Sequence, residues 1–199
     1  MRLVRAPAKP KRRVAHLGNI GTFMPEQEMA TKTKKYAERF KDFEFVGIDK
    51  AKYNVPEGIE KWKQKQSDFV IGLLTEKNNS FDVISSEMAV GYYGPIKLER
   101  PVVYPHTRAT KIYTNFLMKL IYKKLKKGGK LNIVAGESAL DNIIEGLHRT
   151  PLKEKYKIKE LSESEKQKLT YWTKTKKFYW GGKMLDNTDD KIYRITAEK

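Results

Sequence analysis

Residues 13–23 read RVAHLGNIGTF. Val14, Ala15 and Leu17 make the short apolar run of a buried parallel strand. Gly18, Asn19, Ile20, Gly21 and Thr22 predict a tight loop. Pro25, Glu26 and Glu28 follow, and a proline and two acids suit the first turn of a helix and its positive end. Met29, Thr33, Tyr36, Ala37 and Phe40 then recur at helical spacing. Strand, glycine loop, helix is an order that brings a backbone close to a nucleotide-like ligand. Glycine suits the loop because a Cβ there blocks either the turn or the ligand.

Outward from this stretch, strands and helices alternate. Residues 43–48 (FEFVGI) predict a second strand ending at Asp49. Pro56 to Gln64, with Trp62, is a short helix candidate, and Phe69 to Leu74 is a short apolar stretch. Lys77 to Ser80 is turn-like, and residues 81–86 (FDVISS) predict a strand. Gly91, Gly94, Pro95, Pro101 and Pro105 make 91–107 an irregular loop. Residues 109–127 predict a helix with Ile112, Phe116, Leu117, Leu120, Ile121 and Leu125 as its buried stripe, closed by Gly128. Leu131 to Ala135 predicts a strand and Ser138 to His148 a helix stopped by Thr150-Pro151. Tyr156 to Leu161 predicts a strand and Ser162 to Leu169 a short helix. Phe178–Trp180 and Ile192–Thr196 are expected to pair antiparallel. The expectation is an α/β fold: a Rossmann-like three-layer α/β/α sandwich, its sheet mostly parallel with an antiparallel C-terminal strand.

The chain has 199 residues, which suits one domain over 13–199 preceded by a basic, extended arm over 1–12. The net charge is +17. Arg2, Arg5, Lys9, Lys11, Arg12 and Arg13 open the chain without a single acid. Residues 171–183 (YWTKTKKFYWGGK) interleave aromatics with lysines, the composition of a surface that stacks bases and follows phosphates. A hairpin with one buried aromatic face has the same composition. RNA is the polyanion these features suggest. Lysine outnumbers arginine 32 to 9, and cysteine is lacking, which also fits the surface of a heat-adapted protein. With no cysteine and three scattered histidines (His16, His106, His148), no metal site is expected. No apolar run is long enough to span a membrane, and the first residues lack the apolar core of a secretory signal, so a cytoplasmic location is expected.

Four features fall in an informative order. The Gly18–Gly21 loop comes first. About 30 residues on, Asp49 ends the second strand in VGIDK, where a carboxylate can accept from both hydroxyls of a ribose. Ser67-Asp68 sits at a strand or loop end, where a carboxylate can meet an adenine amino group. Capping is the alternative role for both acids. The fourth feature is FDVISSEM with the downstream helix and LKKGGKLNIV. Together these resemble the class I S-adenosylmethionine-dependent methyltransferases, over roughly Val14 to Ala135. The most specific stretch is KLIYKKLKKGGKLNIV, residues 119–134. The family usually carries an acid where this chain has His16, and further glycines where it has Ile20 and Thr22.

The resemblance implies S-adenosylmethionine as cofactor. It implies that Gly18, Asn19 and Gly21, flanked by His16 and Ile20, border the methionine part. It implies that Asp49, with Lys50, holds the ribose and that Asp68, between Ser67 and Phe69, meets the adenine edge. Ser86 and Glu87 would line the pocket floor, with Glu87 the best-placed base for acceptors that need one. Tyr92, Tyr93 and His106 fall in the loop expected over the acceptor. Neither the Asn/Asp-Pro-Pro-Tyr signature of base amino methylation nor the lysine–acid pattern of ribose methyltransferases is present. The expected function is a methyltransferase of RNA (tRNA or rRNA). The alternatives are a small-molecule or protein methyltransferase, or a non-catalytic RNA-binding protein on the same fold.

Overall fold

Val14, Ala15 and Leu17 are fully buried because their strand, β1 (Arg12–Leu17), runs through the middle of a seven-stranded sheet. The computed structural model describes residues 12–18, 43–50, 62–87, 89–91, 108–169, 177–180, 183–186 and 191–199. The elements that follow are β2 (Phe43–Asp49), β3 (Trp62–Gln66), α1 (Phe69–Leu74), β4 (Phe81–Glu87), α2 (Arg108–Lys124), β5 (Leu125–Gly136) and α3 (Glu137–His148). Then come β6 (Tyr156–Glu160), α4 (Glu163–Lys166), β7 (Lys177–Trp180), β8 (Lys183–Asp186) and β9 (Ile192–Glu198). The sheet order is β3-β2-β1-β4-β5-β9-β6, with β1 to β5 parallel and β9 antiparallel to both of its neighbours. This is the expected Rossmann-like fold. The expected first helix, Pro25 to Phe40, and all of the 91–107 loop but Gly91 lie outside the described residues.

One face of the sheet carries the main core. Ala15, Val46, Ile84, Leu131 and Ala197 share one register row, and Leu17, Ile48, Ile133 and Ile195 lie in the next. Phe69 and Leu73 of α1, Leu117 and Ile121 of α2, and Ile143 and Leu147 of α3 pack against them. Helices α2 and α3 meet closely at Gly146, where a Cβ would stand 2.6 Å from Met118 Cγ. The face of α2 differs from the expected one. Ile112 and Phe116 are 58% and 52% exposed, whereas Thr110, Tyr113 and Thr114 turn inward. Thr114 satisfies its hydroxyl on Thr110 O at 2.9 Å, which lets a polar residue sit inside.

The helix expected to close at Gly128 ends at Lys124, and β5 begins at once. Residues between Leu125 and Lys130 form an excursion, because Phe81 pairs with Leu125 but Val83 pairs with Lys130. Gly128 turns it with φ +73°. Lys199 closes both elements. Its backbone joins Gly128 and Gly129 at 2.9 and 3.0 Å, and its ammonium donates to the carbonyls of Tyr122 and Leu125 at the end of α2.

Three other expectations are corrected. Trp62 starts β3 rather than lying in a helix, because Phe45 to Asp49 pair in parallel with Trp62 to Gln66 at the sheet edge. Phe178–Trp180 does not pair with Ile192–Thr196. The backbone of Lys177–Trp180 pairs with Lys183–Asp186, and β9 lies between β5 and β6. Arg12, expected in the arm, is the first residue of β1, with its guanidinium 5.8 Å from the centroid of the Phe43 ring.

The amino ends of the strands are joined by ion pairs. Arg13 meets Glu44 at 3.3 Å and Glu76 at 3.1 Å, and Lys63 meets Glu44 at 3.1 Å. Lys65 also pairs with Glu76. Asp82 accepts from the Arg13 backbone at 2.7 Å and from Lys126 at 2.8 Å. Partial burial raises the pKa of Glu44, Glu76 and Asp82, but these donors outweigh it and hold all three carboxyls below their usual range. Gly146→Val should destabilise the fold by about 1–3 kcal/mol, because the helix pair has no room for a branched side chain. Urea unfolding measures it. A midpoint equal to wild type would mean that α2 and α3 can separate freely at this contact.

Candidate functional site

Strand order reverses between β1 and β4, and in such sheets ligands bind in the crevice beyond the carboxyl ends of the strands. At the end of β1, Gly18 donates its N–H to Ile48 O at 2.9 Å and adopts φ +94°. A Cβ there would stand 2.6 Å from Ala89 Cβ, so both conformation and space require glycine. Asn19, Ile20 and Gly21 lie outside the described residues, as do Tyr92, Tyr93 and His106. Next to β1, β2 ends at half-buried Asp49, whose carbonyl accepts from Ser67 N at 2.8 Å. That bond brings the ends of β2 and β3 together.

Asp68 caps α1, with Oδ1 accepting from Val70 N at 2.9 Å. Tyr113 of α2 donates its hydroxyl to the same oxygen at 2.7 Å, and Lys50 Nζ lies 3.5 Å from Oδ2. Asp68 thus performs the capping role that was its alternative reading, while standing at the strand end where the ligand reading needs it. Phe69 is buried in the main core. Ser67 Oγ is buried against Gly72 of α1 and has no hydrogen-bond partner among the described residues.

On the other side of the reversal, Ser86 Oγ donates to Leu17 O at 2.8 Å and accepts from Val90 N at 3.4 Å. This joins the ends of β1 and β4 to the turn that follows. Glu87 is the last residue of β4 and is half-buried. Gly91, at φ +93°, passes so close to α3 that a Cβ would be 2.9 Å from Ala139, and Asn142 holds its carbonyl at 3.0 Å. Gly18, Asp49, Lys50, Asp68, Ser86 and Glu87 therefore gather at one end of the sheet. Tyr113 and Asn142 escaped notice in the sequence. Their only signal was a polar tip at helical spacing from apolar residues.

His16 stands apart, on the sheet face opposite Ala15 and Leu17. Its register row contains Gln64, Ser85, Asn132, Thr196 and Lys157, a polar row across the sheet. The imidazole is buried, stacks on Phe45 at 6.2 Å between centroids, and has Nδ1 2.9 Å from Ser85 Oγ. Burial lowers its pKa to about 3, so the ring is neutral at pH 7. It supplies hydrogen bonding but no negative charge. Among the described residues, no three His, Cys, Asp or Glu side chains are grouped to hold a metal, and no helix is long and apolar enough to cross a membrane.

The sequence matches no protein-family model and no curated protein sequence. Solved structures do match in fold. An antibiotic-related methyltransferase superposes with a TM-score of 0.53 at 12% identity, over 94% of this chain and 88% of that one. Haemonchus contortus phosphoethanolamine N-methyltransferase 2, in complex with phosphomonomethylethanolamine and S-adenosylhomocysteine, gives 0.53 at 16% identity. The match covers 97% of this chain but only 50% of that enzyme. The 16S rRNA (adenine(1408)-N(1))-methyltransferase of Catenulisporales acidiphilia gives 0.50 at 12% identity, over 94% and 85% of the two chains. At such identities the shared feature is the fold, and the chain has the Rossmann-like fold of these methyltransferases.

The neutral histidine has a measurable consequence. Below pH 6.5 the unfolded chain protonates His16, whereas the folded chain resists until about 3. The folded pKa is depressed, so this contribution is complete above 6.5 and is lost as pH falls, by up to about 1.4 kcal/mol per pH unit. His16→Gln should flatten the pH dependence of the urea midpoint between pH 6.5 and about 5, above the carboxylate range. Parallel wild-type and variant curves would mean that His16 is hydrated.

Proposed function

We propose that the chain is an S-adenosylmethionine-dependent methyltransferase acting on RNA. The observation that carries the reading is the set of residues at the carboxyl ends of the strands beside the order reversal. A glycine whose Cβ would collide ends β1, and acids follow the adjacent strands at Asp49 and Asp68, on a fold shared with methyltransferases. These residues fit the cofactor. The tight turn at Gly18 leaves backbone beside the methionine part, Asp49 takes the ribose hydroxyls, and Asp68 takes the base edge. When bound, the cofactor supplies an electrophilic methyl on a good leaving group. The remaining work is alignment and exclusion of water. Ser86 contributes by pinning β1 to β4, and Glu87 holds or accepts a proton where the acceptor requires it.

The RNA acceptor is supported by the +17 charge, the basic arm and the lysine–aromatic composition of 171–183. One of the fold neighbours acts on 16S rRNA. A second reading, RNA binding without catalysis, draws on the neutral His16, which stands where the methyltransferase family usually carries an acid.

Calorimetry with S-adenosylhomocysteine tests the cofactor. Wild type should bind, and Asp49→Ala should weaken binding by about 1.5–3 kcal/mol, the scale of hydrogen bonds to a charged group. No binding by folded wild type would favour the non-catalytic reading, and unchanged affinity in the variant would remove Asp49 from the site. For RNA, affinity should fall steeply with salt. Deleting residues 1–11 removes Arg2, Arg5, Lys9 and Lys11 and leaves β1 whole. The slope of log affinity against log salt should then fall by up to about 3. Equal slopes would remove the arm from the interface. Weak, indiscriminate binding of transfer RNA, ribosomal RNA and heparin, without tritium transfer to any RNA, would leave a small-molecule or protein acceptor.

A further inference from the structure

The bond between Tyr113 and Asp68 is more than a helix cap requires. Capping of α1 is complete with the Val70 N–H at 2.9 Å. The tyrosine comes from a different helix and delivers its hydroxyl to the same oxygen, Oδ1, at 2.7 Å. Burial and the Asp68 charge both raise the Tyr113 pKa, so the phenol stays protonated and donates throughout the range in which the crevice operates. Two donors on one oxygen set the plane of the carboxylate. Among the described residues, Oδ2 is left with Lys50 at 3.5 Å, too long for a good hydrogen bond. It therefore retains acceptor capacity at the end of β3, one strand further from the reversal than Asp49.

We infer that Tyr113 is a positioning residue that orients Asp68 to read the exocyclic amino group of a 6-aminopurine. The inference rests on the cofactor reading above and assigns its base specificity. An oriented carboxylate accepts from an amino group but faces the oxygen of a 6-oxopurine acceptor to acceptor. The pair of side chains thus separates adenine from hypoxanthine. Lys50, on the same oxygen at longer range, limits that preference, because its ammonium can donate to the 6-oxo group.

The test compares binding of S-adenosylhomocysteine with that of S-inosylhomocysteine by calorimetry, in the full chain. Wild type should prefer the adenine compound about ten- to a hundredfold. Asp68→Asn keeps the cap through its amide oxygen, so the variant should fold, and its nitrogen then faces the base as a donor. The preference for adenine should be lost or reversed in it. Tyr113→Phe removes only the hydroxyl and should reduce the preference about three- to tenfold. Tyr113→Met, flexible enough to fill the same space, replaces the phenylalanine variant if that one does not fold. Loss of preference in Asp68→Asn with none in folded Tyr113→Phe, whatever its melting temperature, would overturn the positioning role and leave the cofactor reading standing. A preference unchanged in Asp68→Asn would remove the base from Asp68 and overturn the inference through its premise. Failure of wild type to bind either compound would overturn the cofactor reading itself.

Discussion

Three hydrogen bonds hem the carboxyl ends of the central strands, and the crevice depends on them. Gly18 N meets Ile48 O at 2.9 Å, Ser67 N meets Asp49 O at 2.8 Å, and Ser86 Oγ meets Leu17 O at 2.8 Å. Each links the end of one strand to the end of its neighbour. Parallel strands have no tight turns to hold their ends, because each is followed by a crossover. Without the hem, Asp49, Asp68 and Glu87 would end separate strands with no fixed relation. With it, they form one rim. The cost falls on Gly18, whose φ of +94° and nearness to Ala89, where a Cβ would stand 2.6 Å from Ala89 Cβ, admit no side chain.

Charge is divided along the same axis. At the amino ends, Glu44, Glu76 and Asp82 are each met by more than one donor from Arg13 or a lysine. These groups are mutually satisfied and serve cohesion. At the carboxyl ends, Asp68 is held but, among the described residues, keeps one oxygen with only a long ion pair. The depressed carboxylates and the neutral His16 act in the same direction with pH. Each loses its contribution as pH falls, the histidine from 6.5 downward, Glu44 and Glu76 below their ordinary 4.5, and Asp82 below its ordinary 3.8.

Both edges of the seven-stranded sheet are lysine-bearing. In β3, Lys63 and Lys65 reach across to Glu44 and Glu76, and in β6, Lys157 and Lys159 alternate with Ile158. Lysines on an edge strand oppose pairing with another chain while leaving the strand intact. Part of the chain's large positive charge therefore serves the sheet, independently of any polyanion.

The sequence by itself determined the elements that carry their own signal. Strands β1, β2 and β4 were legible because each holds a short apolar cluster, such as Val14-Ala15, Phe45-Val46 and Val83-Ile84, near a turn signal. Gly18 and Asp49 were legible because a forced turn and a strand-end acid are local facts. Helix α3 and the inner half of β5 were legible for the same kind of reason. Only the tertiary structure decided the rest. Trp62–Gln66 became a strand because β2 offered it a ladder, although its lysines and glutamines show no apolar face. The inward face of α2 was chosen by its neighbours. Tyr113 turns in to reach Asp68 and Thr114 lies beside Gly146, which leaves Ile112 and Phe116 outside. The end of α2 was settled by Lys199, far along the chain, rather than by the glycines that follow it. Periodicity registers that a helix has an apolar side. Which polar groups may share that side depends on partners distant in sequence, and those partners meet only when the sheet closes.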